Sequence, residues 1–312
     1  MKMPRWLLYS VITAILWGVW GALSDYPAKY LTPPFPTTLI YVINALTIIP
    51  VAIISLKKIH FKPVHTWKAI GFGLAAGLTG AGGQLMLFMA LKSGPPYLIF
   101  PIISLSPAIT VIMSFILLKE KTGIRGKIGI VLALVSIFLM SVQKADSGPI
   151  SSLMWLWLAI IIFFLWGVQA YVIKASTKSM DEDSMFFYLA LTLQVIIPFA
   201  LLLTDFSQPI NWGFRGPYLS IFIQLLNTVG VLFFVYSFKE GKAIIVAPII
   251  NGLYPVITII ISLLIYWQLP ILANGMGMIL AVIAIIMISY DEGLKSSPPE
   301  AAIKESNSSK TD

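Results

Sequence analysis

Ten apolar runs, each close to the length a helix needs to cross a bilayer, take up most of this 312-residue chain. Inside hydrocarbon every backbone N–H and C=O must be satisfied by the protein itself, and a helix does this within a single segment. The runs predict helices over Trp6–Ser24, Phe35–Leu56, Trp67–Leu91, Tyr97–Leu118 and Ile124–Gln143. A second set follows over Leu153–Ala175, Ser184–Thr204, Pro217–Phe238, Ala243–Trp267 and Ile271–Tyr290. Charged residues make up 11% of the chain, against roughly 25% in soluble domains, so an ordinary soluble globular fold is excluded. The expected class is an all-α integral membrane protein of ten transmembrane helices.

Ten spans put both termini on one side, and the basic residues indicate which side. Lysine and arginine resist translocation, so short cytoplasmic loops are enriched in them. With the N-terminus inside, 17 of the 21 basic residues fall on the cytoplasmic side, leaving Lys29, Lys92, Lys144 and Arg215 opposite. This topology also accounts for the formal charge of +8; nucleic-acid binding would need the basic residues gathered on one water-exposed face. The basic stretch 1–5 runs into an apolar segment that continues to Ala22 without a small-residue cleavage site, so it is expected to stay as the first span. Residues 292–312 are polar and expected to be a disordered cytoplasmic tail. The absence of cysteine removes disulfides, thiolate metal sites and cysteine nucleophiles.

Two halves of the chain repeat. Leu91-Lys92-Ser93-Gly94 and Phe238-Lys239-Glu240-Gly241 each end one span and open the next, 147 residues apart. At that spacing Pro101 matches Pro248; after one inserted residue Pro107 matches Pro255, Ser114 matches Ser262 and Gly129 matches Gly277. Leu16-Trp17-Gly18-Val19 matches Leu165-Trp166-Gly167-Val168 at an offset of 149. The units are 1–146 and 147–291. Each holds five spans, an odd number, so the second enters the membrane in the opposite direction, the inverted-topology arrangement found in alternating-access carriers.

The Trp-Gly pair of the first helix, the Pro-rich fourth helix and Leu118-Lys119-Glu120 before a Gly-containing fifth helix carry a family resemblance. The chain resembles the drug/metabolite transporter superfamily, in its EamA-like branch, over about 290 residues. That resemblance implies ten helices in two inverted five-helix halves around a central cavity, lined mainly by helices 1, 3, 4, 6, 8 and 9. The second half has Gln268 where the first has Glu120, so Glu120 is expected to cap or anchor a helix end rather than serve a symmetric role.

Within the spans, polar groups are few and therefore informative, because an amide in hydrocarbon costs free energy unless it is paired. Asn44 and Gln194 lie mid-span in helices 2 and 7, Gln84 in helix 3, and Gln224 and Asn227 three apart on one face of helix 8. Each is either an interhelical hydrogen bond or a substrate contact. Asn251 sits between Pro248 and Pro255, where missing backbone donors leave carbonyls free, so it either repairs a kinked helix or faces substrate; Tyr254 follows within a turn, with Ser104 and Ser106 as its repeat mates. Trp17, Trp20, Trp166 and Gln169 mark one shared place in helices 1 and 6 and serve either packing or an aromatic cavity wall. Trp6, Trp67, Trp155, Trp157 and Trp267 lie nearer span ends, as interfacial belt residues do.

Pro101, Pro107, Pro248 and Pro255 shape kinked helices and are also candidate bending points for gating. Lys92 and Lys239 are repeat mates on opposite membrane faces, either snorkelling or acting as gate residues. The glycines of helix 3, with Gly73 and Gly77 four apart, suit close packing. His60 and His65 have no acidic neighbour, so no metal site is expected. Asp25 ends helix 1, and Asp181, Glu182 and Asp183 are placed in a loop, so no mid-span carboxylate offers a proton relay.

These features point to a secondary carrier of a small organic solute in the cytoplasmic membrane, neutral or zwitterionic, such as an amino acid. A sugar or nucleotide-sugar carrier of the same fold is an alternative, as is a channel or scaffold; an enzyme would need His, Asp or Glu clusters that the spans lack. The expected partners are a small-molecule substrate and the lipid bilayer, with no cofactor and no nucleic acid, and the expected assembly is a monomer or homodimer.

Overall fold

The computed structural model describes residues 3–24, 26–93, 102–103, 105–142, 154–266 and 271–296. Among them ten main helices, and no strand, are found. The first five are α1 (Arg5–Leu23), α2 (Thr37–Lys58), α3 (Trp67–Ser93), α4 (Ser106–Ile116) and α5 (Ile124–Ser141). The second five are α6 (Met154–Ser176), α7 (Glu182–Leu202), α8 (Leu219–Glu240), α9 (Ala243–Tyr266) and α10 (Leu272–Ser296). A single turn, Tyr26–Lys29, follows α1, and a π-helical turn, Phe214–Tyr218, leads into α8. The expected junction of the halves at 146–147, the start of helix 4 and the tail beyond 296 lie outside the described residues.

Local chemistry sets the helix ends. Asp181 caps α7 by accepting from the backbone N–H of Ser184 (2.7 Å), and Glu182 and Asp183 fill its first turn, where carboxylates complement the helix dipole. These acids were expected in a loop; the cap at Asp181 draws them into the helix. Lysines occupy the last turns of α2, α6 and α8, the favourable place for cations. The tail reading needs one correction, since α10 continues through residues 292–296. Nothing before Pro298 prevents it, and a single glycine at 293 is a tolerable cost within a helix.

Six helices among the described residues are long and apolar enough to cross a membrane: α1, α2, α3, α6, α7 and α8, the last with its preceding turn. Their outward faces are apolar, with Ile54, Leu202 and Phe222 59–82% exposed. Ser10, Thr13, Thr47, Ser55, Thr192 and Gln224 are buried instead. Polar groups inside and large apolar side chains outside reverse the soluble pattern and suit a lipid surround. Trp67 and Trp157 are exposed as belt residues should be, but Trp155 is only 5% exposed. It packs among Leu87, Ala90 and Ile103 instead, because its helical phase differs from that of Trp157.

The packing partners recur five helices apart. α1 packs on α8 and α9, and α6 packs on α3 and α4; α2 meets α8 as α7 meets α3; and α2–α7, α4–α9 and α5–α10 pack against each other. The closest approaches also repeat. A Cβ on Gly18 would lie 2.5 Å from Ile257 Cβ, and one on Gly167 2.5 Å from Ile109 Cβ. Over the same glycines, Thr258 Oγ1 donates to the Gly18 oxygen (3.0 Å) and Thr110 Oγ1 to the Gly167 oxygen (2.9 Å).

At the end bearing Lys174 and Lys239, apolar side chains of α3, α6, α7, α8 and α9 merge into one cluster around Ile173, Met185, Phe238 and Val246. There α6 also packs on α8 and α9, and Lys174 Nζ donates to the Phe238 oxygen (2.9 Å).

Candidate functional site

Every main helix except α5 and α10 contributes to one cavity of about 210 Å³ at the centre of the bundle. The family resemblance implied six lining helices; α2 and α7 join them because Tyr41, Asn44 and Ile48 reach in from one and Leu189 and Leu193 from the other.

The tryptophans build the wall. Trp17 and Trp20 enter from α1 and Trp166 from α6, with Gln169 at the position that corresponds to Trp20. Each large ring needs a notch in the facing helix. A Cβ on Gly230 of α8 would lie 2.5 Å from Trp17 Cδ1, and one on Gly83 of α3 2.5 Å from Trp166 Nε1. Seated there, Trp17 Nε1 donates to the backbone oxygen of Asn227 (3.3 Å) and Trp166 Nε1 to that of Gly80 (3.4 Å). Trp20 Nε1 donates to Gln224 Oε1 (3.1 Å). All three indole N–H groups are thus engaged within the protein. Phe234 and Tyr254 extend the aromatic surface, with ring centroids 5.0 Å and 6.1 Å from Trp17.

Amides supply the polarity. Asn227 Nδ2 donates to Asn44 Oδ1 (3.0 Å), tying α8 to α2 across the cavity wall. Asn251 Nδ2 donates to the Ala247 oxygen one turn back (2.9 Å) while the residue lines the cavity; that oxygen is the ordinary helical acceptor of the Asn251 N–H and is not one that a proline leaves free. Gln84 and Gln169 line the α3/α6 side. Ser106, Pro107 and Thr110 of α4 complete the wall opposite α9. Among the described lining residues there is no Asp, Glu, Lys, Arg or His, and no described group of His, Cys, Asp or Glu could hold a metal.

Two of the expected substrate contacts stand outside the cavity. Gln194 donates to the backbone oxygens of Ala45 and Ala190, so its amide is an interhelical tie between α7 and α2. Gln224 is 2% exposed and sits behind Trp20. Of the gating candidates, Pro107 lines the cavity and Pro248 is buried inside α9. Lys239 forms an exposed ion pair with Glu182 (2.8 Å). Pro255 lies within α9, but its side chain, that of Lys92, and all of Pro101 lie outside the described residues. The reading of Glu120 as a cap is matched by its Oε2, which accepts from the backbone N–H of Ile244 in the first turn of α9 (3.0 Å).

Sequence reasoning missed Tyr41, Thr110, Val231 and Phe234. Their signal was helical spacing from residues already singled out: Tyr41 is three before Asn44, and Val231 and Phe234 are four and seven after Asn227.

The model of the EamA-like transporter family matches residues 4–142 and 153–290, one match to each half. The chain belongs to the EamA-like transporter family. With its apolar helices this makes it a multi-pass membrane protein of the drug/metabolite transporter type. The uncharacterized protein MJ1333.1 of Methanocaldococcus jannaschii is 30% identical over 135 residues, which cover 43% of this chain and 98% of that protein. Protein LicB of Haemophilus influenzae is 22% identical over 187 residues, 59% of this chain and 62% of LicB. A solved crystal structure shares this EamA-like fold, with a TM-score of 0.71 at 18% identity over 90% of this chain and 98% of the other.

Proposed function

We propose that this EamA-like protein is a secondary carrier that moves a small, neutral or zwitterionic organic solute across the cytoplasmic membrane by alternating access. The observation that carries this reading is the central cavity, uncharged among its described lining residues, walled by matched residues of both halves and sized for a metabolite. A mostly apolar pocket with a few convergent polar groups is the usual form of a small-molecule site.

In this reading the chain crosses the membrane ten times as two inverted five-helix units. The fivefold shift in packing partners supports it, as do the paired Trp17–Gly230 and Trp166–Gly83 notches and a relative with the length of one half. The basic-residue bias puts both termini in the cytoplasm. The apolar cluster and the Lys174–Phe238 tie then seal the cavity on the cytoplasmic side. In this reading transport requires that α6 release α8 and α9 there.

Counterflow tests the carrier. Liposomes holding purified protein are preloaded with pooled neutral amino acids or pooled sugars, and labelled uptake is followed with no ion gradient. Accumulation with one pool establishes exchange and names the solute class. Uptake that proceeds equally without preload and never saturates would make the protein a channel. Asn251→Ala and Trp17→Ala are expected to abolish counterflow in protein that remains folded, and normal uptake by both would remove the cavity from the mechanism.

A further inference from the structure

From the hydrogen-bond inventory of the cavity we infer that Asn251 is the specificity-determining acceptor for a protonated amine, so that the transported solute presents an ammonium group to α9. This rests on the carrier reading and names the chemical group its cavity selects.

Several donors around the cavity are already spent inside the protein. The indole N–H groups of Trp17, Trp20 and Trp166 go to Asn227, Gln224 and Gly80. The Thr110 hydroxyl goes to the Gly167 oxygen. Asn251 is the informative case, because its partner settles which way its amide is turned. The Ala247 backbone oxygen can only accept, so the atom bonded to it must be the NH₂ of Asn251. The amide oxygen is therefore the free end, and among the described residues it has no partner. Pro255, four residues on, has no N–H to offer the backbone oxygen of the same residue. One residue thus carries a free amide oxygen and a backbone oxygen that lacks its i+4 donor.

The surroundings favour positive charge. Tyr254 is three residues from Asn251 on the same helical face and stands edge-on to Trp17. Trp17 lines the cavity with its N–H engaged elsewhere, and aromatic rings attract cations. No cationic side chain among the described lining residues competes. A carboxylate placed at the Asn251 amide oxygen would meet another acceptor, whereas an ammonium N–H meets a hydrogen-bond acceptor beside aromatic side chains. The amides of Gln84 and Gln169, which both donate and accept, are left for the remainder of the solute.

The test measures binding to the full-length protein in detergent by intrinsic tryptophan fluorescence, with three probes of one shape: 2-phenylethylamine, its N,N,N-trimethylated form and 2-phenylethanol. The amine is expected to bind at least tenfold more tightly than the alcohol. Asn251→Leu should weaken the amine about tenfold while leaving the trimethylated probe, which has no N–H, within twofold. Asn251→Asp keeps the shape and adds charge, so it should widen the preference of amine over alcohol. Equal binding of amine and alcohol, no binding of any probe, or an equal loss of amine and trimethylated probe in Asn251→Leu each overturns the assignment. Binding with the expected pattern but no counterflow of any solute would refute the carrier reading and leave the ammonium site standing.

Discussion

Trp17 spans the contact between α1 and α8, its indole N–H on the backbone oxygen of Asn227 and its ring in the notch left by Gly230. Trp166 repeats this arrangement on Gly80 and Gly83. Both rings also line the cavity, so residues that hold the two halves together are also residues that wall the cavity. In the proposed carrier, occupancy would couple to helix movement without a separate relay, since shifting either ring shifts a helix contact.

The notch makes a direct prediction. Gly230→Ala places a Cβ 2.5 Å from the Trp17 ring, and overpacking of this kind costs about 1–3 kcal/mol. The variant should melt at a lower temperature and lose transport. In a Trp17→Ala background the same substitution should cost much less, because contacting residues are not additive. A double-mutant cycle by thermal unfolding reads the coupling; simple additivity would mean that the two residues do not touch in the membrane.

Asp183 was read as a loop acid, but it is 8% exposed and holds α2, α7 and α8 together. Ser55 Oγ and the Tyr236 hydroxyl both donate to Asp183 Oδ1, and Lys58 donates to the Tyr236 hydroxyl (2.6 Å) while its ammonium lies 4.0 Å from Asp183. Removing the acceptor strands two donors. Asp183→Leu is expected to lower stability by about 1–3 kcal/mol, and Asp183→Asn, which keeps an acceptor oxygen, by less. Equal melting temperatures for both variants and wild type would show that the cluster holds nothing.

Glu120 accepts from the first turn of α9, where a side-chain cap contributes about 0.5–2 kcal/mol. Glu120→Ala should destabilise by that order and Glu120→Gln by only part of it, as judged by thermal unfolding in detergent. A large transport defect with unchanged stability would instead make Glu120 a participant in transport.

Because the chain has no cysteine, single cysteines report topology without background. Ser207→Cys, between α7 and α8, should react with a membrane-impermeant maleimide on intact cells. His60→Cys, between α2 and α3, should react only after permeabilisation. The reverse pattern would invert the orientation drawn from the lysines and arginines.

Element number, the repeat and the place of the polar spans were legible in the sequence because each is a local or periodic property. An apolar run must become a helix in hydrocarbon whatever it packs against, and matched landmarks such as Trp17 with Trp166 survive as spacing. Asn44, Gln84, Asn227 and Asn251 stood out as amides whose burial demands a partner, and Gln169 by its place one turn from Trp166. Which partner each took was a tertiary matter. Gln194 and Asn44 look alike along the chain, yet Gln194 reaches backbone oxygens between α7 and α2 while Asn44 faces the cavity. Gln224 lies on the same face as Asn227 but was taken up by Trp20. Asp183 became a buried tie only once α2 and α8 closed over it. Helical phase is set by sequence, but whether a given face meets lipid, a neighbouring helix or the cavity is set by how the ten helices pack. That packing turned on glycine notches and single hydrogen bonds between residues about 150 to 240 positions apart.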